Sequence, residues 1–270
     1  DYMVARMGEE GLLMELDYSK IPNAENIDER YLHPAYDTEQ KYSLPYMWGT
    51  TGIIYNTTMV DKAPTSWMDL FTTDLKGQVL IFDNPRDCIG LALKALGYSF
   101  NTTDKDEIAE ATDLLIKQKE DGIVQAYVMD QIFDKMINNE AAMGTYYAGD
   151  YLTMVEENPD LAFVQPEEGS NLFVDAMCIP TCSKNYEDAL AFINFMCRDD
   201  IVLRNCEETG YSCPSVTALE EMDEEMATDP VAYPGADILD KAETFGGLPE
   251  ETLTFYDHEW IRICLAKVKY

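Results

Sequence analysis

Positive charge is scarce in this chain of 270 residues: 19 Lys and Arg stand against 51 Asp and Glu, for a net charge of -32. A surface of that sign repels phosphate backbones and anionic headgroups, so nucleic-acid binding and docking on acidic lipid are excluded and a cationic ligand or partner is favoured. Histidine is nearly missing, with only His33 and His258. No His-x-x-x-His pair, nucleophile elbow or phosphate-cradling glycine loop is present, which removes the commonest signatures of catalysis. No apolar run reaches the length that a bilayer demands, so membrane insertion of this chain is not expected. The seven cysteines, at 88, 178, 182, 197, 206, 213 and 264, are an odd number and too sparse for a disulfide framework. Their spacings do not combine with two histidines into a zinc site, and most of them read as small buried hydrophobes, in a reducing or anaerobic setting. No cofactor is expected.

What is present is a core-forming composition, 46% hydrophobic, enough for one large domain or two modest lobes. The stretch from Lys41 to Asn56 gathers Tyr42, Tyr46, Trp48 and Tyr55 around two glycines and runs into Gly52-Ile-Ile-Tyr55, which reads as a buried strand. Strands are predicted at 78–82, 122–127, 141–147, 161–165 and 172–179, alternating with helices that include 85–96, 104–120, 149–157 and 186–198. Thr103 and Asn185 are the expected caps of the second and last of these helices, and Ala189, Phe192, Ile193, Met196 and Cys197 the buried face of the last. Strand alternating with helix is the α/β signature, and no repeat or low-complexity linker interrupts it.

The polar residues cluster where strands end. Asn84 and Asp87 follow one strand, Asp150 follows another, and Asp175 lies inside a third, where an apolar strand makes an unpaired buried carboxylate costly. Ligands of open α/β sheets bind beyond the carboxyl ends of strands, so these positions can converge. Together with Tyr2, Tyr46, Trp48, Tyr146 or Tyr147, Phe173 and Tyr211 they mix carboxylates with aromatic rings. That mixture suits a flexible organic polycation: each ammonium seeks a carboxylate, and ring faces attract both the charge and the methylene chain.

Six segments, in order, resemble the spermidine/putrescine-binding proteins of bacterial ABC importers. They are Leu44-Pro-Tyr-Met-Trp-Gly-Thr-Thr-Gly-Ile53, Pro64-Thr-Ser-Trp-Met-Asp-Leu70, Asp83-Asn-Pro-Arg-Asp87, Leu96-Gly-Tyr-Ser-Phe-Asn-Thr-Thr-Asp104, Pro166-Glu-Glu-Gly169 followed by Val174-Asp175, and Thr209-Gly-Tyr-Ser-Cys-Pro214. The resemblance implies a type II periplasmic-binding-protein fold, two α/β lobes that close on a polyamine by a hinge motion. Residues 1–49 with 173–217 would form lobe one and residues 50–172 with 218–270 lobe two. It further implies an extracytoplasmic, non-catalytic receptor, in the periplasm or as a cell-surface lipoprotein, whose partners are the polyamine and the permease subunits of the transporter. Tyr2, Tyr147, Phe173 and Tyr211 match the family's aromatic box, and Asp87 and Asp175 match its amine-receiving carboxylates.

Three departures qualify the match. Asn84 stands where spermidine binders place an aspartate, and Tyr147 and Phe173 stand where they place tryptophans. The family's opening strand, helix and second strand are not found ahead of Tyr2, so a chain limited to these residues is expected to bind polyamine poorly, through unpaired sheet edges in lobe one. Competing readings are a binder of another small cationic or organic solute, a hydrolase using paired carboxylates, and a sensory or interaction domain that keeps the fold and has lost the site.

Overall fold

The computed structural model describes residues 1–269. The chain divides into two compact units, one of Asp1–Gly49, Leu172–Pro234 and Thr244–Gly247, the other of Thr50–Asn171, Gly235–Glu243 and the described residues from Leu248 onward. In chain order the elements are α1 (Tyr2–Glu9), β1 (Ser43–Asn56), α2 (Asp69–Thr72), β2 (Val79–Phe82), α3 (Pro85–Ala95), α4 (Lys105–Glu120), β3 (Val124–Val128) and α5 (Gln131–Ile137). There follow β4 (Met143–Tyr147), α6 (Ala148–Glu157), β5 (Leu161–Val164), β6 (Leu172–Cys178), α7 (Tyr186–Met196) and α8 (Asp199–Thr209). The tail carries α9 (Val216–Glu221), α10 (Glu224–Ala227), α11 (Ala236–Leu239) and α12 (Glu250–Leu265).

The second unit is built on strands in the order β3-β2-β4-β1-β5. β2 runs parallel to β3 and β4, while β1 lies antiparallel to β4 and β5. All four residues of β2, Val-Leu-Ile-Phe, are buried, the pattern of a parallel strand covered on both faces. Helices α3, α4 and α12 pack on one another. Trp67, fully buried, ties the segment before α2 to the loop after β5 by donating its indole N–H to Gly169 O at 2.8 Å. One expected helix limit shifts: Asp104, not Thr103, caps α4 by accepting from Asp106 N.

In the first unit β1 begins and β6 runs, and β6 pairs β1. Much of the remainder is irregular. The segment after α1 forms a β-bridge from Leu13 to Pro180 and a backbone bond from Leu16 N to Lys41 O, and residues 18–31 make three 3₁₀ turns. Helix α7 departs from the expected amphipath: Leu190, Ile193 and Cys197 are buried, whereas Phe192 and Phe195 are exposed and stack on each other. Asn185 precedes α7 without a side-chain capping bond. The expected division also differs at the tail, because Ala218 of α9 is fully buried with Met47, Val202, Cys206 and Cys213, which keeps residues up to Pro234 with the first unit.

One close approach in the second unit's sheet carries a prediction. A Cβ on Gly52 would lie 2.6 Å from Val164 O and press into the Phe163 ring. Gly52→Ala should therefore lower the urea unfolding free energy by about 1–3 kcal/mol, the usual cost of overpacking.

Candidate functional site

Parallel pairing of β2 with β4 sends both strands out of the sheet at the same edge. β2 hands over to Asp83 and Asn84, then to α3, whose first residue is Pro85, already fixed near helical φ and with no N–H to satisfy. Asn84 is the N-cap: its Oδ1 accepts from Asp87 N at 2.8 Å, and its Nδ2 donates to Asp87 Oδ2 at 2.8 Å. The side chains of Asn171 and Tyr147 also bond to the Asp87 carboxylate. Asp87 is 8% exposed, and burial pushes its pKa up to about 6 against the opposing pull of Asn84, the Arg86 guanidinium, Asn171 and Tyr147. Burial outweighs its donors.

The two tyrosines of β4 differ in their polar partners. Tyr146 points into the core, packed against Phe82 and Phe133, and donates its hydroxyl to Asp130 at 2.9 Å. Tyr147, half-buried, packs its ring against Tyr146 and Phe82, at 4.9 and 5.3 Å between centroids, and reaches Asp87. Asp150, in the first turn of α6, is half-buried and contributes, after burial and the bond to Asp130, to the raised pKa of Tyr146. Asn171 is the residue that sequence reasoning missed here. It is 2% exposed, its backbone O accepts from Thr51 N at 3.1 Å, and its Oδ1 has no hydrogen-bond partner among the described residues.

The first unit holds the other carboxylate. Phe173 and Asp175, two apart on β6, share a face of the strand. Phe173 is 8% exposed, meets the Tyr211 ring edge-on at 5.7 Å, and fills the space where a Cβ on Gly49 would approach it to 2.8 Å. Asp175 is not buried as its apolar strand suggested; it is exposed to solvent, because it projects from the half of β6 whose neighbours leave room. Crowding by nearby protein still raises its pKa. The pKa of Tyr46 is raised by burial, then by Cys206 and Asp175, so its hydroxyl lies within electrostatic reach of that carboxylate. Tyr2 presents its ring edge to the buried Phe245, 6.0 Å between centroids.

Trp48 behaves differently from the other candidates. It is 3% exposed, stacked on Tyr31, met edge-on by Tyr233, and donates Nε1 to Cys213 O at 2.9 Å. Every feature of it is used inside the unit's core. Tyr36, which nothing in the sequence singled out, is 4% exposed with a hydroxyl that has no partner among the described residues, and Asp175 is one of the charges that raise its pKa. In chemical terms, Asp87 with Tyr147 and Asp175 with Phe173, Tyr211 and Tyr46 each offer an acceptor of negative charge beside aromatic surface.

Comparison with known proteins adds the family context. The family of bacterial extracellular solute-binding proteins matches residues 1–234. The spermidine/putrescine-binding periplasmic protein of Escherichia coli (strain K12) is 35% identical over 243 residues, covering 90% of this chain and 69% of that protein. The substrate-binding protein of a spermidine/putrescine ABC transporter from Streptococcus pneumoniae superposes with a TM-score of 0.87 at 38% identity, covering 98% of this chain and 81% of that one. A structure from Listeria monocytogenes reaches a TM-score of 0.92, also at 38% identity, with the same 98% and 81% coverage.

The raised pKa of Asp87 sets a pH dependence of stability. Its folded pKa of about 6 lies above the ordinary 3.8, so its stabilising contribution is complete below about pH 4 and is lost as pH rises through about 6. Between those limits the wild type should lose up to about 3 kcal/mol relative to Asp87→Asn, measured by urea unfolding of both proteins across that range.

Proposed function

The chain belongs to the bacterial extracellular solute-binding proteins, and from that membership we propose that it captures a polyamine outside the cytoplasm and delivers it to the permease of an ABC importer. It is a receptor and not an enzyme: the ligand is held by charge and ring contact, and no bond is broken. Asp87 and Asp175 each receive an ammonium group. Tyr147 lies against the first of these positions, and Tyr2, Tyr46, Phe173 and Tyr211 line the second, where their faces take the methylene chain and the cation. Asn84 and Asn171 hold the Asp87 carboxylate in place, and Asp150 adds negative potential nearby. Trp48 supports the strand that carries Tyr46.

The observation that carries this reading is the Asp87 carboxylate, kept buried with a pKa near 6 even though four neighbours favour its ionised form. An ammonium group arriving there supplies the charge that burial denies it, so binding and ionisation reinforce each other. The spermidine/putrescine-binding relatives support the same ligand class. Asn84 favours a second reading, a ligand with fewer positive charges on the same scaffold, because its amide is already committed to capping α3 and brings no charge.

Calorimetric titration of the full-length protein with putrescine, spermidine and spermine tests the proposal. Saturable binding should weaken more than about tenfold in Asp175→Asn and in Asp87→Asn, as expected for loss of a charge-assisted bond. Protons compete for Asp87, so affinity should fall about tenfold from pH 7 to pH 5, and this step should be absent in Asp87→Asn. Absence of binding to all three amines would sink the polyamine assignment.

A further inference from the structure

The last turn of helix α8 carries Cys206, whose carbonyl accepts from Gly210 N at 2.9 Å, with Gly210 in the left-handed conformation that stops the helix. The chain then turns back. Ser212 pairs with Trp48 through backbone bonds of 3.0 and 3.1 Å, Trp48 Nε1 bonds to Cys213 O, and Cys213 N donates to the Tyr233 hydroxyl at 3.1 Å. This path returns Cys213 to the helix it has just left, so that Cys206 and Cys213 pack in one small buried cluster. They are 1% and 3% exposed, within the cluster that also holds Met47, Val202 and Ala218. Between them, on the short loop they bracket, sits Tyr211 against Phe173.

We propose that Cys206 and Cys213 are a disulfide site, and that the bond closes this loop and pins Tyr211 against Phe173. The role of Tyr211 in that statement rests on the polyamine reading; the bond itself does not. The reaction is exchange with a small-molecule disulfide such as oxidised glutathione. The Cys213 thiolate attacks one sulfur of the oxidant, breaking its S–S bond and releasing one thiolate. Cys206, giving its proton to solvent, then attacks the Cys213 sulfur and displaces the second. Two protein thiols are oxidised and one disulfide is reduced to two thiols. Because both sulfurs are enclosed once the cluster packs, oxidation belongs to folding, before the cluster closes.

The test is to refold the full-length protein in a glutathione redox buffer, alkylate the remaining thiols, and digest without reductant. A glutamyl protease cuts at Glu207 and Glu208, between the two cysteines, so the linked form is read directly by mass as joined peptides. The expected result is that link, together with putrescine affinity about threefold tighter in the oxidised than in the reduced protein, the gain from ordering one side chain in advance. Separately alkylated Cys206 and Cys213, or a link from either to another cysteine, would overturn the site. A correct link with equal affinity in both forms would overturn the pinning of Tyr211. In the double variant Cys206→Ala, Cys213→Ala, reductant should leave affinity unchanged, and if that variant does not fold the wild-type peptide map still decides.

Discussion

A strand buried along almost all of its fourteen residues must find a partner for each peptide group, and β1 places that demand on the rest of the chain. Within the second unit it is met on both sides, by β4 opposite Thr51–Tyr55 and by β5 opposite Ile53–Asn56. Within the first unit Trp48 is met by Ser212, carried there by the turn after α8. The two glycines that interrupt the strand's side chains are where large rings come closest, Phe173 at Gly49 and Phe163 at Gly52. The aromatic surface near the candidate residues thus follows from how β1 is packed. Removing either gap would displace a ring before it touched any ligand.

The two aspartates show how one residue type acquires different properties from its surroundings. Asp87 is enclosed, capped by an asparagine, and bonded by a tyrosine and a second asparagine, yet burial still governs its pKa. Asp175 stands open to solvent at the edge of its own cluster. A cation gains most from an enclosed carboxylate because little water screens the pair, and it reaches an open one more readily. On a chain of net charge -32, the long-range field attracts cations without selecting among them. Selection falls to the local rings and amides.

Much of the second unit was legible in the sequence, because its signals are local. Val79–Phe82 is a short apolar run, Asn84-Pro85 announces a helix start, and Asp87 three residues after Asn84 occupies the position that a capping side chain engages. Cap positions shifted by a residue, as at Asp104, since neighbouring Thr and Asp are equally able to cap. Helix α7 misled for a different reason. Phe192 and Ile193 are adjacent apolar residues that cannot both sit at the centre of one face, and hydrophobicity alone does not say which is turned inward. Asn171 and Tyr36 were invisible, because a buried amide oxygen or hydroxyl acquires its meaning only from residues distant in the chain.

By itself the sequence determined the α/β alternation, the preference for cations, and the carboxylate and aromatic residue types near strand ends, because each depends on composition or on spacings of a few residues. Tertiary structure alone decided that Asp87 is buried while Asp175 is open, that Tyr147 and not Tyr146 meets Asp87, that Trp48 belongs to the core, and that Cys206 and Cys213 share one buried cluster. Those outcomes depend on which distant segments exclude water from a side chain. Exclusion of water is a property of packing, and no local pattern encodes it.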